Sequence, residues 1–263
     1  MIKITPDSIK DFQTCGLLYN YRHAEGLPET IPARQIMVDK FEETIKNVIN
    51  FFFYKKQSGS PASYSALQNR WQKLWFPKGT SAQDVINEKH ESAYGNMSSY
   101  TSKAAVVLMN FYEYFSDPEI IPIGISEEYS LPMNGFLIRD NYDLVYSKNN
   151  KIFIIKWMFN VKESNHHFYN VDFACMYAAY KKKNPNFLNK VSCGYYDIME
   201  HNPRVELVKS NEDDLNALEF WLNEMSQKKN YVPRRGLTYY CKRCPFDTPC
   251  SKWTFKKDVT SNE

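Results

Sequence analysis

The sequence predicts a mixed α/β fold: a sheet core flanked by helices, with a helical stretch ahead of it and a cysteine-bearing tail behind it. Three observations carry this. Apolar residues recur at helical spacing up to Phe115. After Asp117-Pro118 the texture changes to short, β-rich apolar runs. The chain then closes on Cys241-Lys-Arg-Cys244-Pro-Phe-Asp-Thr-Pro-Cys250, too rich in cysteine and proline for a core segment.

Thr5-Pro-Asp-Ser8 reads as a helix start, and the helix it opens carries Ile9, Phe12, Cys15 and Tyr19 along one side. Gly26-Leu-Pro28 ends that unit. Met37, Phe41, Ile45, Val48, Ile49 and Phe52 mark an amphipathic helix over 36–55. Tyr64, Leu67, Trp71, Leu74 and Trp75 mark the next, and Tyr100 to Phe115 the clearest one; their aromatics are expected in the core. Strands follow over 120–131, 136–146 and 151–159, the last two joined by a turn at Ser147-Lys-Asn-Asn150. A helix over 168–183, strands over 191–198 and 205–208, and a helix over 212–228 complete the order. The expected units are a segment 1–30, a helical region 31–117, an α/β core 118–230 and a tail 231–263.

With 43% hydrophobic and 16% aromatic residues the chain is expected to fold as a globular protein. Its net charge of +3 is too small to name a partner. The N-terminus lacks the apolar run of a signal peptide, and no stretch approaches the roughly 20 apolar residues of a membrane span. Six cysteines without a secretory signal point to a reducing, cytoplasmic setting and to metal ligation rather than disulfides. Lysine- and asparagine-rich usage fits an AT-rich genome; for a viral one the setting would be the host cytoplasm.

Cys241, Cys244 and Cys250 offer three soft ligands and lack a fourth. Cys15 lies in a similar polar and aromatic setting, so these four are expected to form one metal site joining the chain's ends. Four thiolates suit an iron–sulfur cluster or a structural zinc ion, and spacing does not choose between them. Closing so long a loop is worth on the order of 4–5 kcal/mol. Cys175 and Cys193, among apolar neighbours, are expected in the core.

The opening Ser8…Phe12…Cys15…Tyr19-x-Tyr21-Arg22, followed by Gly26-Leu-Pro28, resembles that of RecB-like PD-(D/E)XK nucleases. The likeness is to the iron–sulfur branch, with the AddB-type helicase-nucleases and the CRISPR-associated adaptation exonucleases. Cys241-x2-Cys244-Pro-Phe-x4-Cys250 is similar to that branch's closing motif, and the likeness spans almost the whole chain. It implies a restriction-endonuclease-like sheet, a [4Fe–4S] cluster on Cys15, Cys241, Cys244 and Cys250, and DNA as ligand.

Catalysis in that family needs an acid on one strand and D/E-x-K on the next, around Mg²⁺ or Mn²⁺, because a hard ion wants oxygen ligands. Residues two apart on a strand share a face. Asn141-Tyr-Asp143-Leu-Val145 matches the first motif, with Asp143 as the metal-binding acid. The next strand reads Ile154-Ile-Lys156-Trp-Met158, with Lys156 at the acid's position and Met158 at the lysine's. Met37-Val-Asp-Lys-Phe41 lacks the histidine of the preceding helix, and Phe173 replaces a glutamine four residues before Tyr177. Asp39, Glu127, Glu128, Asp140 and Glu163 are the acids that could rebuild the site. Lys156 is expected to neutralise Asp143, leaving a vestigial pair. His166 and His167 have no assigned role.

The tail alternates cations, including Arg234, Arg235, Lys242 and Arg243, with rings such as Tyr239, Tyr240 and Phe246; this pairs charges for phosphate with flat surfaces for bases. Lys181, Lys182 and Lys183 add a basic helix end. The expected function is a catalytically inactive, cluster-bearing protein that binds nucleic acid or scaffolds a complex for replication, recombination or transcription. An active Mg²⁺- or Mn²⁺-dependent deoxyribonuclease with a displaced motif, or a subunit that contacts only protein, are the alternatives.

Overall fold

The computed structural model describes residues 1–29, 33–76, 97–159, 166–185, 191–208, 212–227, 241, 244–246 and 249–250. Its elements run β1 (Ile2–Ile4), α1 (Pro6–Thr14), α2 (Gly16–Tyr19), a π-helical turn (Asn20–Ala24), α3 (Ala33–Gln57), α4 (Tyr64–Trp75) and α5 (Met97–Phe115). Then come β2 (Ile121–Met133), β3 (Phe136–Lys148), β4 (Lys151–Met158), α6 (His166–Lys183), β5 (Val191–Asp197), β6 (Val205–Val208) and α7 (Glu212–Gln227). The mixed α/β architecture is the expected one. No described helix is long and apolar enough to cross a membrane.

β3 is the spine of the six-stranded sheet. On one side it pairs with β2, antiparallel, from Met133↔Phe136 to Ile121↔Ser147. On its other side the parallel β1 pairs with its start, Ile2↔Phe136 to Ile4↔Ile138, and the antiparallel β4 with its end, Leu144↔Ile155 to Lys148↔Lys151. β4 then pairs in parallel with β5, which pairs antiparallel with β6. Both hairpins turn through two residues with positive φ: Asn134 (49°) and Gly135 (83°), then Asn149 (52°) and Asn150 (58°). That primed turn matches the strands' right-handed twist, and asparagine and glycine bear the left-handed backbone best.

α3, α4 and α5 cover one face. Phe53, Phe111 and Phe115 pack on Leu144, Ile155, Trp157 and Tyr196, so the helical stretch shares one core with the sheet. α1, α6 and α7 cover the other face, bringing Ile9, Phe12, Phe173, Met176 and Leu222 against Ile138, Tyr142 and Ile154. Cys175 and Cys193 are buried there, as their apolar neighbours predicted.

The start of the chain differs from the expectation of one continuous helix. A three-residue strand comes first, too short to show a period. The helix then breaks at Cys15 (φ −163°, ψ 120°), whose N–H still donates to Asp11 O at 2.8 Å. Cys15 is therefore extended between two helices rather than on the stripe of Ile9, Phe12 and Tyr19.

Gly194 marks a close approach within the sheet. A Cβ there would stand 2.4 Å from Glu206 O on β6. Gly194→Ala is expected to force the β5–β6 pair apart and cost about 1–3 kcal/mol, read as a lower denaturant midpoint.

Candidate active site and cysteine group

Between the end of β1 and the start of the β4 ladder, residues 139–143 of β3 form an open gap in the sheet. Asp140 and Asp143 lie in it. The β2–β3 ladder passes from Ile125↔Leu144 to Glu127↔Tyr142 without a recorded pair at Ser126 and Asp143. Ser126 has φ 48°, a left-handed backbone that costs a non-glycine residue of order 1 kcal/mol or more, and Asn50 Nδ2 of α3 donates to its Oγ at 2.8 Å. β3 changes face at the same level: Ile138 and Tyr142 lie in the α6-side core, Leu144 and Tyr146 in the α5-side core. Strict alternation would keep these even-numbered residues together. Asp143 thus stands at a kink beside the fork where β3 and β4 part. Its Oδ2 accepts the Trp157 N–H at 2.8 Å in place of a ladder bond.

Lys156, near the end of β4, enters the gap. Its Nζ donates to Asp140 Oδ2 at 2.8 Å and to Asp172 Oδ1 at 3.4 Å. Asp172 comes from α6 and is 1% exposed. A second ammonium reaches it from α1: Lys10 Nζ donates to Asp172 Oδ2 at 3.0 Å and Oδ1 at 3.3 Å, and pairs with Asp7 at 2.5 Å. The result is one ion chain, Asp7–Lys10–Asp172–Lys156–Asp140, across α1, α6, β4 and β3.

This corrects the expected Asp143–Lys156 pair. Lys156 bonds to Asp140 and Asp172, while Asp143 bonds to a backbone amide, and the two interact only through space. Burial pushes the Asp143 carboxyl above the ordinary range, against the opposing pull of Lys46, Lys156 and the Trp157 N–H. Lys156 behaves in the opposite way. Burial disfavours its charge, but Asp172 and Asp140 outweigh that and hold it above the usual lysine value. Lys10 is likewise raised, with burial overcome by Asp172 and Asp7. A lysine raised on folding stabilises fully below its unfolded value of roughly 10.4, and that stability drains away as pH climbs through the folded value. Lys156→Met is therefore expected to flatten the alkaline limb of the wild-type stability–pH curve, as measured by thermal melts from pH 8 to 11.

Of the other candidate acids, Glu127 pairs with Lys183 at the end of α6, and Glu128 is exposed. Asp39 acts on Glu42 of α3, whose carboxyl is raised first by burial, with Lys46 opposing. Phe173 is buried in the core. Glu163 and the side chains of His166 and His167 lie outside the described residues. Among the described residues no three His, Cys, Asp or Glu side chains are placed to hold a metal ion. Sequence reading missed Asp172 and Lys10. Asp172 had a signal, a lone acid inside Val171-Asp-Phe-Ala-Cys-Met176, where every residue is buried. Lys10 had none.

At the chain ends, Leu17, Tyr21 and Phe246 form a small separate core, with Cys15, Cys244 and Cys250 packed against it. Tyr21 OH donates to Pro249 O at 3.4 Å, the Tyr21 and Phe246 rings lie 5.7 Å apart, and the Arg22 guanidinium stands 6.0 Å from the Phe246 ring. The Cys244 thiol is pushed up by burial, and Cys250, Cys15 and Cys241 each add to that shift. Four soft donors drawn from the two chain ends have the chemistry of a tetrathiolate-bound group, but these four thiols, all among the described residues, are not gathered closely enough here to form a metal-holding set. Nearby, Ser8 Oγ meets His23 Nδ1 at 3.3 Å and His23 Nε2 meets Asp11 at 2.8 Å. With Ser8 2% exposed, this line is a strut between α1 and the π-helical turn, not a nucleophile relay. The tail cations Arg234, Arg235, Lys242 and Arg243 lie outside the described residues.

Residues 3–251 match the family profile of the PD-(D/E)XK nuclease superfamily. Among solved structures, the chain is similar to the crystal structure of a protein named "Putative exonuclease" from Eubacterium rectale. The two share 9% identity with a TM-score of 0.52, over 98% of this chain and 91% of that one. That likeness supports a shared fold. No curated protein matches the sequence.

Proposed function

This chain belongs to the PD-(D/E)XK nuclease superfamily, and we propose that it is a member that has given up cleavage and kept the fold to bind nucleic acid or to scaffold a complex acting in replication, recombination or transcription. One observation carries this reading: the Lys156 ammonium lies between Asp140 and Asp172, where a nuclease would gather oxygen ligands around a divalent ion. A cation of fixed charge neutralises those carboxylates without activating water, so the step a metal supplies is missing. The family's chemistry makes DNA the first ligand to test, with Arg234, Arg235, Lys242 and Arg243 as phosphate contacts.

Cys15, Cys241, Cys244 and Cys250 would hold a [4Fe–4S] cluster, or zinc in the alternative. When bound, that group ties the two chain ends together. Thiolate ligands of this kind suit a reducing intracellular setting.

Incubation with Mg²⁺ or Mn²⁺ on single- and double-stranded DNA is expected to yield no cleavage. Binding to the same DNA should weaken steeply with salt and further when the four tail cations are neutralised. Metal-dependent cutting that disappears in Asp143→Ala would overturn the reading and restore an active nuclease.

A further inference from the structure

We infer that the ion chain across the sheet gap is a latch that fixes α1, and with it the arm bearing Cys15, on the core. Asp172 is the shared keeper, and Lys10 and Lys156 close on it from opposite sides. α1 has only two residues deep in the α6-side core, Ile9 and Phe12. Such contacts attract but tolerate sliding, since burial is non-directional. The Lys10–Asp172 pair supplies direction, because both oxygens of one buried carboxylate face the ammonium at 3.0 and 3.3 Å. Asp172 sits in a helix whose neighbours are all buried, so its charge has no water to fall back on and depends on its partners. One ammonium would balance it. The second makes the trio positive, and Asp140 at one end and the largely exposed Asp7 at the other bring carboxylates to the outer side of each ammonium. Remove either lysine and the buried Asp172 keeps one partner in place of two.

The latch has a direct route to the cysteine group. Cys15 caps α1 through its N–H on Asp11 O, one residue beyond Lys10. Asp11 also accepts from Arg22 at 2.8 Å and meets His23, so the π-helical turn moves with α1. Holding Lys10 in place therefore holds Cys15 against the small core of Leu17, Tyr21 and Phe246 on which Cys244 also packs.

This inference rests on the proposed inactive site in one respect: no divalent ion enters between Asp140 and Asp172. Hydrogen exchange on the full-length protein tests it, with amides of 9–14 compared with those of 144–155. Lys10→Met, which leaves Asp172 its Lys156 partner, is expected to speed exchange across α1 by about tenfold while the β3–β4 ladder stays as protected as before. Asp172→Asn, which also frees Lys156, should speed α1 exchange at least as much, and adding Lys10→Met to it should change little, because the Lys10–Asp172 link is already broken. Unchanged α1 protection in Lys10→Met, or effects that simply add, would overturn the latch. The inactive-site reading fails separately, if Mn²⁺ raises the wild-type melting temperature.

Discussion

Cys15→Ser is expected to release the proposed metal and lower stability by roughly 4 kcal/mol, the worth of closing a loop that runs nearly the length of the chain. The effect should be large because the site has few alternatives. Cys175 and Cys193 are buried among apolar side chains of the sheet core, closed to a metal shared with the tail. The small core of Leu17, Tyr21 and Phe246 is thin. Among the described residues the two ends meet through the Tyr21–Pro249 hydrogen bond at 3.4 Å and the contacts of Tyr21 and Arg22 with the Phe246 ring. Anaerobically purified wild-type protein should be brown, with iron and sulfide in cluster stoichiometry. Cys15→Ser should be colourless, with an earlier melting transition. Full iron retention in Cys15→Ser would show that the first thiol is not a ligand. Stoichiometric zinc without iron in the wild type would keep the clasp and change its metal.

The elements and the site were not equally legible in the sequence. Residues such as Phe41, Ile45 and Phe111 announced their helices because a single buried face imposes a period on the chain. Asn149 and Asn150 announced a hairpin because the primed turn demands φ above zero twice. Asp143 was legible through its strand motif. What could not be read was the pairing of charges. Lys10 and Asp172 sit 162 positions apart, and nothing local marks either as the other's partner. The gap in the sheet was equally hidden, because it arises from where β1 stops and β4 begins on the same edge of β3. The break at Cys15 was missed for a local reason: the helical stripe continues through it in sequence while the backbone does not.

Lys156→Glu is the sharpest test of whether an ammonium has replaced a metal ion. The exchange takes out the cation that bridges Asp140 and Asp172 and adds a carboxylate beside both, with Asp143 near. In EDTA the variant should be at least 3–5 kcal/mol less stable than wild type, as expected when a buried charge loses its partner. Crowded carboxylates favour their protonated forms, so the variant's stability should fall as pH rises from 5 to 8. Mn²⁺ should then recover a large part of the loss. An ion that binds only the folded state adds about 2.7 kcal/mol at a hundredfold excess over its dissociation constant. Lys156→Met loses the bridge without gaining an oxygen ligand, so it should be destabilised and remain indifferent to Mn²⁺. If Lys156→Glu behaves like Lys156→Met, the acids of the gap are too far apart to share an ion, and the lysine is a strut in a site that never held one. If the wild type itself gains stability from Mn²⁺, the ammonium is no barrier and the fold is still a metal-binding one. Restored binding would not by itself restore cutting, because Met158 stands where a nuclease of this family places its lysine.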